Sequence, residues 1–523
     1  MPTQSRNSRR LSRPEIRKTP GEAMIRRSLV ASAIALSLFA VPAAAQAPAD
    51  AFASDVTQVV KIRQGALKGT VKDGVAYTLG VPYAAPPVGE LRWKPPAAAP
   101  AWTGERDASK AGPRCQDVED CLTINVVRPA NARPGARLPV MVWIHGGAYV
   151  IGTSMGAFGG DTDGTNFAKQ GIVHVSLNYR LGRAGWFAHP ALTKEGPTGN
   201  YGMMDQIAAL KWVQANIASF GGDPKKVTIF GESAGGISVL YLMLSPEAKG
   251  LFSKVIGESS FARHVPTPLK TAEAAGLKAA NDAGVQGEDA AAAAALRKVP
   301  LTAMPYSGGL VGRAGPILDG KLINEGLAQG FSAGKQAKVP LMLGGNSNEA
   351  SLFRPQPAQL DAIPEPQKSA ILRAFDPNGA GDKARIINDV VTVQMITEPD
   401  RNTARLHAKA GQPVYLYYFS RVAPTDKDRR PYGAGHTDEI RYVFGAPTAP
   451  VKFDANDKAL SDAMNTYWAN FAKTGDPGSA GGVAWPKFDA AHERQVEFGD
   501  DGVKVREHFL KDWRDAVEAG QAK

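Results

Sequence analysis

The chain has 523 residues and a formal net charge of +11, from 61 Lys and Arg against 50 Asp and Glu, with 43% hydrophobic and 21% charged residues. That hydrophobic share excludes wholesale disorder, a collagen-like chain and a small disulfide scaffold, and it leaves ample sequence for a large core. Taken at face value the basic excess points to nucleic acid or an anionic membrane surface, so the position of the charge decides.

Residues 1–27 carry Arg6, Arg9, Arg10, Arg13, Arg17, Lys18, Arg26 and Arg27 against Glu15 and Glu22, which is +6 of the +11, and residues 28–45 carry no charge. The apolar run at 29–41 is too short to span a bilayer as a helix and ends in Pro42-Ala43-Ala44-Ala45. This is the basic, apolar and small-residue order of a secretory signal peptide. An uncleaved anchor is the alternative. The reading expects translation to start at Met24, cleavage after Ala45 or Ala47, export to the periplasm or exterior of a bacterium, and no stable membrane anchor afterwards. Residues 46–523 then keep +5, which gives no reason to invoke nucleic acid. No linker-like break follows Asp50, so a single domain over 46–523 is expected.

Cys115 and Cys121 fit an exported chain, where an even pair with five residues between them reads as a disulfide and too few ligands lie nearby for a metal. Two free thiols are the alternative. A ring this small stabilises by only about 2 kcal/mol, so it pins a loop without holding a fold together.

Further along, short apolar runs bounded by turn residues read as strands covered on both faces: residues 138–144 (LPVMVWI), 172–177, 227–230, 339–343 and 414–419 (VYLYYF). Between them, residues 203–217 place apolar side chains at helical spacing, and the alanines at 290–295 form a helix. Alternating strand and helix define an α/β fold with a large, mostly parallel central sheet flanked by helices.

The first strand runs into Ile144-His145-Gly146-Gly147-Ala148-Tyr149, a small-residue stretch whose backbone amides can approach a substrate carbonyl. A flexible Gly-Gly loop, with His145 as a core histidine, is the alternative. The strand at 227–230 runs directly into Gly231-Glu232-Ser233-Ala234-Gly235, and an apolar helical stretch follows at 237–244. Strand, sharp turn and helix are what a nucleophile elbow requires, and the helix N-terminus beneath Ser233 favours developing negative charge. A serine hydroxyl needs a base and a group that orients the base, in the chain order Ser, acid, His. Glu349 lies on the loop leaving the 339–343 strand, and His436 lies in the glycine-rich loop after the 414–419 strand, where an imidazole is offered to the strand ends. His407, His492 and His508 also follow the acid, and a merely solvated carboxylate remains the alternative for Glu349. Neither His-Glu-x-x-His nor a phosphate-cradling glycine loop is present, so no metal and no organic cofactor is implied.

These motifs, with Gly80-Val81-Pro82-Tyr83-Ala84, Glu119-Asp120-Cys121-Leu122, Asn178-Tyr179-Arg180-Leu181-Gly182, Asp205-Gln206, Gly221-Gly222-Asp223-Pro224 and Phe471-Ala472-Lys473-Thr474-Gly475-Asp476-Pro477, resemble the type-B carboxylesterases over about residues 58–488. Those are the cholinesterase-like α/β-hydrolases, and the bacterial para-nitrobenzyl esterases are the most similar branch. The resemblance implies a serine hydrolase that cleaves small-molecule carboxylic esters, with Ser233 as nucleophile, Glu349 as acid and His436 as base. It also implies oxyanion amides at Gly147, Ala148 and Ala234. Amide, lactone or carbamate hydrolysis would use the same residues, and a non-catalytic binding protein of this family is a remoter alternative. The Gly-Gly-Ala form of the oxyanion loop implies tolerance for esters of bulky, even tertiary, alcohols.

Two departures stand out. The short ring between Cys115 and Cys121 holds no aromatic residue, so the choline-stacking loop of cholinesterases is missing. At Glu258-Ser259-Ser260, where relatives tend to carry Ser-Gly, the resemblance offers Ser259 as a support for Glu349. Lys427, Arg429 and Arg430 precede His436 and raise a preference for acidic substrates, against the simpler reading of a solvated loop in which Asp426 and Asp428 are interleaved.

Overall fold

The apolar runs pair side by side into the centre of one sheet. The computed structural model describes residues 56–156, 162–305 and 314–521, so the leader and cleavage readings lie outside the described residues. The strands of the sheet are β1 (Thr57–Ile62), β2 (Gly65–Lys72), β3 (Val75–Pro82), β4 (Glu105–Asp107), β5 (Thr123–Pro129), β6 (Leu138–Ile144), β7 (Val173–Leu177), β8 (Gly222–Glu232) and β9 (Lys254–Glu258). After a two-residue pair, β10 (Thr267–Pro268) with β11 (Ile317–Leu318), come β12 (Leu341–Asn346) and β13 (Val414–Phe419). A second small pair, β14 (Ser479–Ala480) with β15 (Val483–Ala484), precedes β16 (Gln495–Gly499) and β17 (Gly502–Arg506).

The sheet order is β1-β2-β3-β5-β7-β6-β8-β9-β12-β13-β16-β17, with β4 beside β2. From β7 to β16 every neighbouring pair is parallel, and the strands outside that block pair antiparallel along the order. Parallel strands need crossover connections, and these place helices on both faces. Alternation along β6 divides its apolar side chains between two cores: Val140, Val142 and Ile144 face one, and Met141 and Trp143 face the other. The first core is covered by helix α1 (Tyr201–Asn216), through Ile207, Leu210 and Val213, and by α2 (Ala234–Leu244). The second is covered by α3 (Ala455–Thr474), which buries Trp468 against Tyr417 and Phe498 and Phe471 against Tyr415.

Two of the sequence motifs serve this frame. Asp205 on α1 accepts from Arg180 N (3.0 Å), Nε (2.8 Å) and Nη2 (2.7 Å), all inside the protein. Removing one partner of such a buried pair costs about 3–5 kcal/mol because the other charge is stranded. Next to it, Tyr179 OH donates to His145 O at 2.8 Å, tying the exit of β7 to the exit of β6. Among the described residues no helix is long and apolar enough to cross a membrane.

Candidate active site

Strand β8 ends at Glu232 and α2 begins at Ala234, so Ser233 alone makes the turn, with φ +56° and ψ −118°. A non-glycine residue persists there only when its surroundings fix it. They do so sterically. A Cβ on Gly231 would stand 2.6 Å from Ile144 O, and one on Gly235 would stand 1.9 Å from the same oxygen, so β6 and the turn are in contact through two glycines. Ser233 N donates to Glu258 O on β9 at 2.9 Å. The side chain sits at the N-terminus of α2, where the orphan amides and the helix dipole favour an anion.

Glu349 is fully buried just beyond β12. Its Oε1 accepts from Asn346 N and from Ser259 Oγ, both at 2.6 Å, and its Oε2 accepts from His436 Nδ1 at 2.5 Å. Ser259 thus holds the acid by a side-chain hydrogen bond. Four further bonds fasten the acid loop to the histidine loop: Asn348 N to Ala434 O (2.8 Å), Ala434 N to Ser347 Oγ (2.9 Å), Asn346 Nδ2 to Gly435 O (2.8 Å) and His436 N to Ser351 Oγ (2.9 Å). The imidazole is thus held from behind, and the edge of Phe261 lies against it at 5.9 Å between ring centres. Its Nε2 end reaches the elbow, 3.1 Å from Oε1 of Glu232, the residue before Ser233. Among the described residues no hydrogen bond joins Ser233 Oγ to His436 in this arrangement; such bonds commonly form only in the substrate complex.

The surrounding charges are unusual for a buried site. Burial pulls the His436 imidazole down, but the carboxyls of Glu232 and then Glu349 outweigh it and raise the group to about 10. Burial pushes Glu232 well above the carboxylate range, with His436 opposing the rise. Glu258, which accepts from Trp468 Nε1 at 2.7 Å, is pushed up to about 8 by burial and by Glu439, and Glu439 to about 7 by burial and by Glu349. Sequence reading missed Glu232, Glu258 and Glu439 as members of the site. No local signal marks the set, because Glu258 closes the charged segment KVIGE and Glu439 follows Thr437-Asp438, and the burial of each is decided by tertiary contacts. A general base must be uncharged to accept a proton, so with His436 in that role the acid limb of activity would follow the loss of its proton. Glu232→Gln removes the group that raises His436 most, and the acid limb of kcat/KM is expected at lower pH than in the wild type; a pH–rate profile with an unmoved limb contradicts this.

On the opposite side, the loop after β6 turns through Gly147 (φ +102°), Ala148 (φ +52°) and Tyr149 (φ +61°). A Cβ on Gly146 would stand 2.6 Å from Glu232 Oε2 and 3.1 Å from Ser233 Cβ, so this loop packs directly on the elbow. Gly182 N donates to Tyr149 O at 2.7 Å and holds the turn from outside. Among the described residues nothing accepts a hydrogen bond from the amides of Gly147 and Ala148. The amide of Ala234 is the first of α2 and has no intrahelical partner. His145 stacks on Tyr179 at 4.5 Å, meets Gly146 O through Nδ1 at 2.8 Å and is lowered to about 4 by burial, so it is a neutral core histidine.

Cys115 and Cys121 are joined by a disulfide. The basic residues before His436 are engaged: Arg429 Nε donates to Asp426 Oδ1 at 2.6 Å, and Arg430 Nε and Nη2 donate to Asp438 at 2.7 and 2.8 Å. Lys427 and Asp428 lie exposed. The solvated-loop reading holds for this segment, and the two guanidiniums are already neutralised by carboxylates.

A mostly parallel sheet whose β8 runs into a strained serine elbow, flanked by an acid loop after β12 and a histidine loop after β13, defines the α/β-hydrolase fold. The carboxylesterase family matches residues 56–378 and 369–514, and the chain belongs to that family. It is 34% identical to a fumonisin B1 esterase of Sphingopyxis macrogoltabida over 89% of this chain and 90% of that protein. It is also 34% identical to liver carboxylesterase 1 of Oryctolagus cuniculus, over 79% of this chain and 84% of that one. Among solved structures, a PNB esterase superposes with a TM-score of 0.75 at 31% identity, covering 88% of this chain and 99% of that one. A Geobacillus stearothermophilus carboxylesterase gives 0.75 at 30% identity with the same coverage.

Proposed function

We propose that the protein hydrolyses carboxylic esters through an acyl-enzyme formed on Ser233. The observation that carries this reading is the buried Glu349–His436 pair, whose Nε2 end is directed at the elbow that bears Ser233, 3.1 Å from Glu232 Oε1. Nε2 takes the Ser233 proton as Oγ attacks the ester carbonyl, and Glu349 holds the ring and balances the imidazolium. The amides of Gly147, Ala148 and Ala234 receive the tetrahedral oxyanion, each such donor being worth about 3–4 kcal/mol. His436 then returns the proton to the departing alcohol. Water, activated by the same nitrogen, releases the acid in the second half of the reaction.

The substrate is a small ester, and the names of the relatives, fumonisin B1 esterase and liver carboxylesterase among them, support carboxylic esters as the bond class. With Ala148 rather than a third glycine on the left-handed turn, esters of tertiary alcohols are accepted beside primary ones. Hydrolysis of tert-butyl acetate by enzyme active on ethyl acetate is the expected result, and turnover of the primary ester alone contradicts it. Export as a single domain over residues 46–523 completes the reading, supported by the leader pattern in the sequence and by the Cys115–Cys121 disulfide, a bond of oxidising compartments.

A further inference from the structure

The small disulfide ring has no place in the chemistry above, and it lacks the aromatic that would make it a ligand site. Its contacts assign it another task. The loop that presents Gly147 and Ala148 leaves the site through Gly152, whose φ is +121°. Gly152 is pressed onto the loop's own beginning: a Cβ there would stand 2.4 Å from His145 Nδ1 and 2.6 Å from Gly146 O. Inside the loop, Val150 N and Ile151 N both donate to Gly147 O, at 3.0 and 3.1 Å. The turn is therefore closed upon itself, and its geometry depends on what holds the exit arm at Gly152.

Gly152 N donates to Oε1 of Gln116 at 2.9 Å. Gln116 is exposed and is the first residue inside the Cys115–Cys121 ring. A glutamine on a free surface segment would spend its carboxamide on water, because fixing its backbone and side chain elsewhere costs conformational entropy. The ring removes much of the backbone part of that freedom, because it is anchored at both ends. Asn178 Nδ2 donates to Pro113 O at 2.9 Å just before Cys115, and Glu119 accepts from Arg92 Nε and Nη2 at 2.7 and 2.5 Å just before Cys121. Cys121 itself is fully buried. Asn178 is shared, since its Oδ1 also accepts from Ser154 N at 2.8 Å, two residues beyond Gly152.

We infer that the Cys115–Cys121 ring braces the oxyanion loop, with Gln116 as the positioning residue that fixes Gly152 and, through it, the amides of Gly147 and Ala148. The inference rests on the oxyanion role proposed above for those amides. Donors that stabilise the transition state act only when they are in place beforehand, and a displacement near 1 Å costs about 100-fold in rate. Acting through Gly152 and those amides, Gln116 is a positioning residue whose effect falls on the transition state and not on substrate binding.

Four variants test this with 4-nitrophenyl butyrate as substrate and a trifluoromethyl ketone, whose hemiketal oxygen occupies the oxyanion position, as inhibitor. Gln116→Ala is expected to lower kcat by about 10- to 100-fold with KM changed by no more than about twofold, and to weaken the inhibitor by the same factor as kcat. Gln116→Glu keeps an acceptor for Gly152 N and is expected to retain wild-type kcat. The double variant Cys115→Ser with Cys121→Ser is expected to lose kcat as Gln116→Ala does, and the triple variant to lose no more than either, since both act through one brace. Wild-type kcat and inhibitor affinity in Gln116→Ala overturn the inference, as does a triple variant whose losses multiply. A lowered melting temperature with unchanged inhibitor affinity also overturns it, by showing a purely structural role. These failures are separate from failure of the functional reading, which would appear as full activity in Ser233→Ala.

Discussion

Ser233→Ala is expected to lower kcat/KM for 4-nitrophenyl acetate by about 10⁴-fold or more, while circular dichroism and the melting temperature stay those of the wild type. The separation of the two readouts follows from the elbow. The left-handed conformation of Ser233, at φ +56°, is imposed by the contact of Gly231 and Gly235 with Ile144 O and by the Ser233 N bond to Glu258 O, none of which uses the hydroxyl. Alanine therefore keeps the turn and removes only the hydroxyl proposed as nucleophile. The amides of Gly147, Ala148 and Ala234 survive the change, and they leave a residual rate above that of water. Wild-type turnover in this variant contradicts the assignment.

Gly235→Ala is expected to have the opposite profile, with the fold failing before the chemistry. The new methyl would stand 1.9 Å from Ile144 O, 2.9 Å from Ile144 C and 3.0 Å from His145 O, all backbone atoms of the central sheet and its exit. No side chain can rotate to relieve this, so β6 and α2 must separate at the point where the elbow is built. A cost of about 3 kcal/mol or more is expected, with a lower melting temperature and loss of activity in whatever folds. Thermal melting of the purified variant checks it, and a melting temperature and kcat equal to the wild type contradict the packing described for the turn.

Much of the frame is legible in the sequence because its central strands are covered on both faces. The runs at 138–144 and 414–419 have the same bounds as β6 and β13, and the helical spacing at 203–217 corresponds to α1. The antiparallel strands β1, β2 and β3 escape the same test, since β1 and β2 carry exposed and half-buried polar residues and sit toward one edge of the sheet. Strand β9 escapes it for another reason. Its sequence, KVIGE, is short and charged at both ends, yet every residue is buried, with Glu258 turned inward to Trp468.

The site divides in the same way. Ser233, Glu349 and His436 stand out because each occupies a loop at the carboxyl end of an apolar strand, in the order that the elbow demands. The buried carboxyls of Glu232, Glu258 and Glu439 do not stand out, because a glutamate's burial is decided by segments distant in sequence. Gln116 is hidden more completely: it lies in a polar loop, and its partner Gly152 is 36 residues away. Local pattern names the residues proposed for the chemistry, whereas only the tertiary contacts bring forward the groups around them.

The most direct measurement is a crystal structure of the enzyme inactivated by a 4-nitrophenyl alkylphosphonate. The expected result is a phosphorus bonded to Ser233 Oγ, with one phosphonyl oxygen about 2.7–3.1 Å from the amides of Gly147, Ala148 and Ala234. His436 Nε2 should face the adduct while Nδ1 keeps its bond to Glu349. A phosphonate attached to any other residue, or one whose oxygen points away from those three amides, would contradict the account.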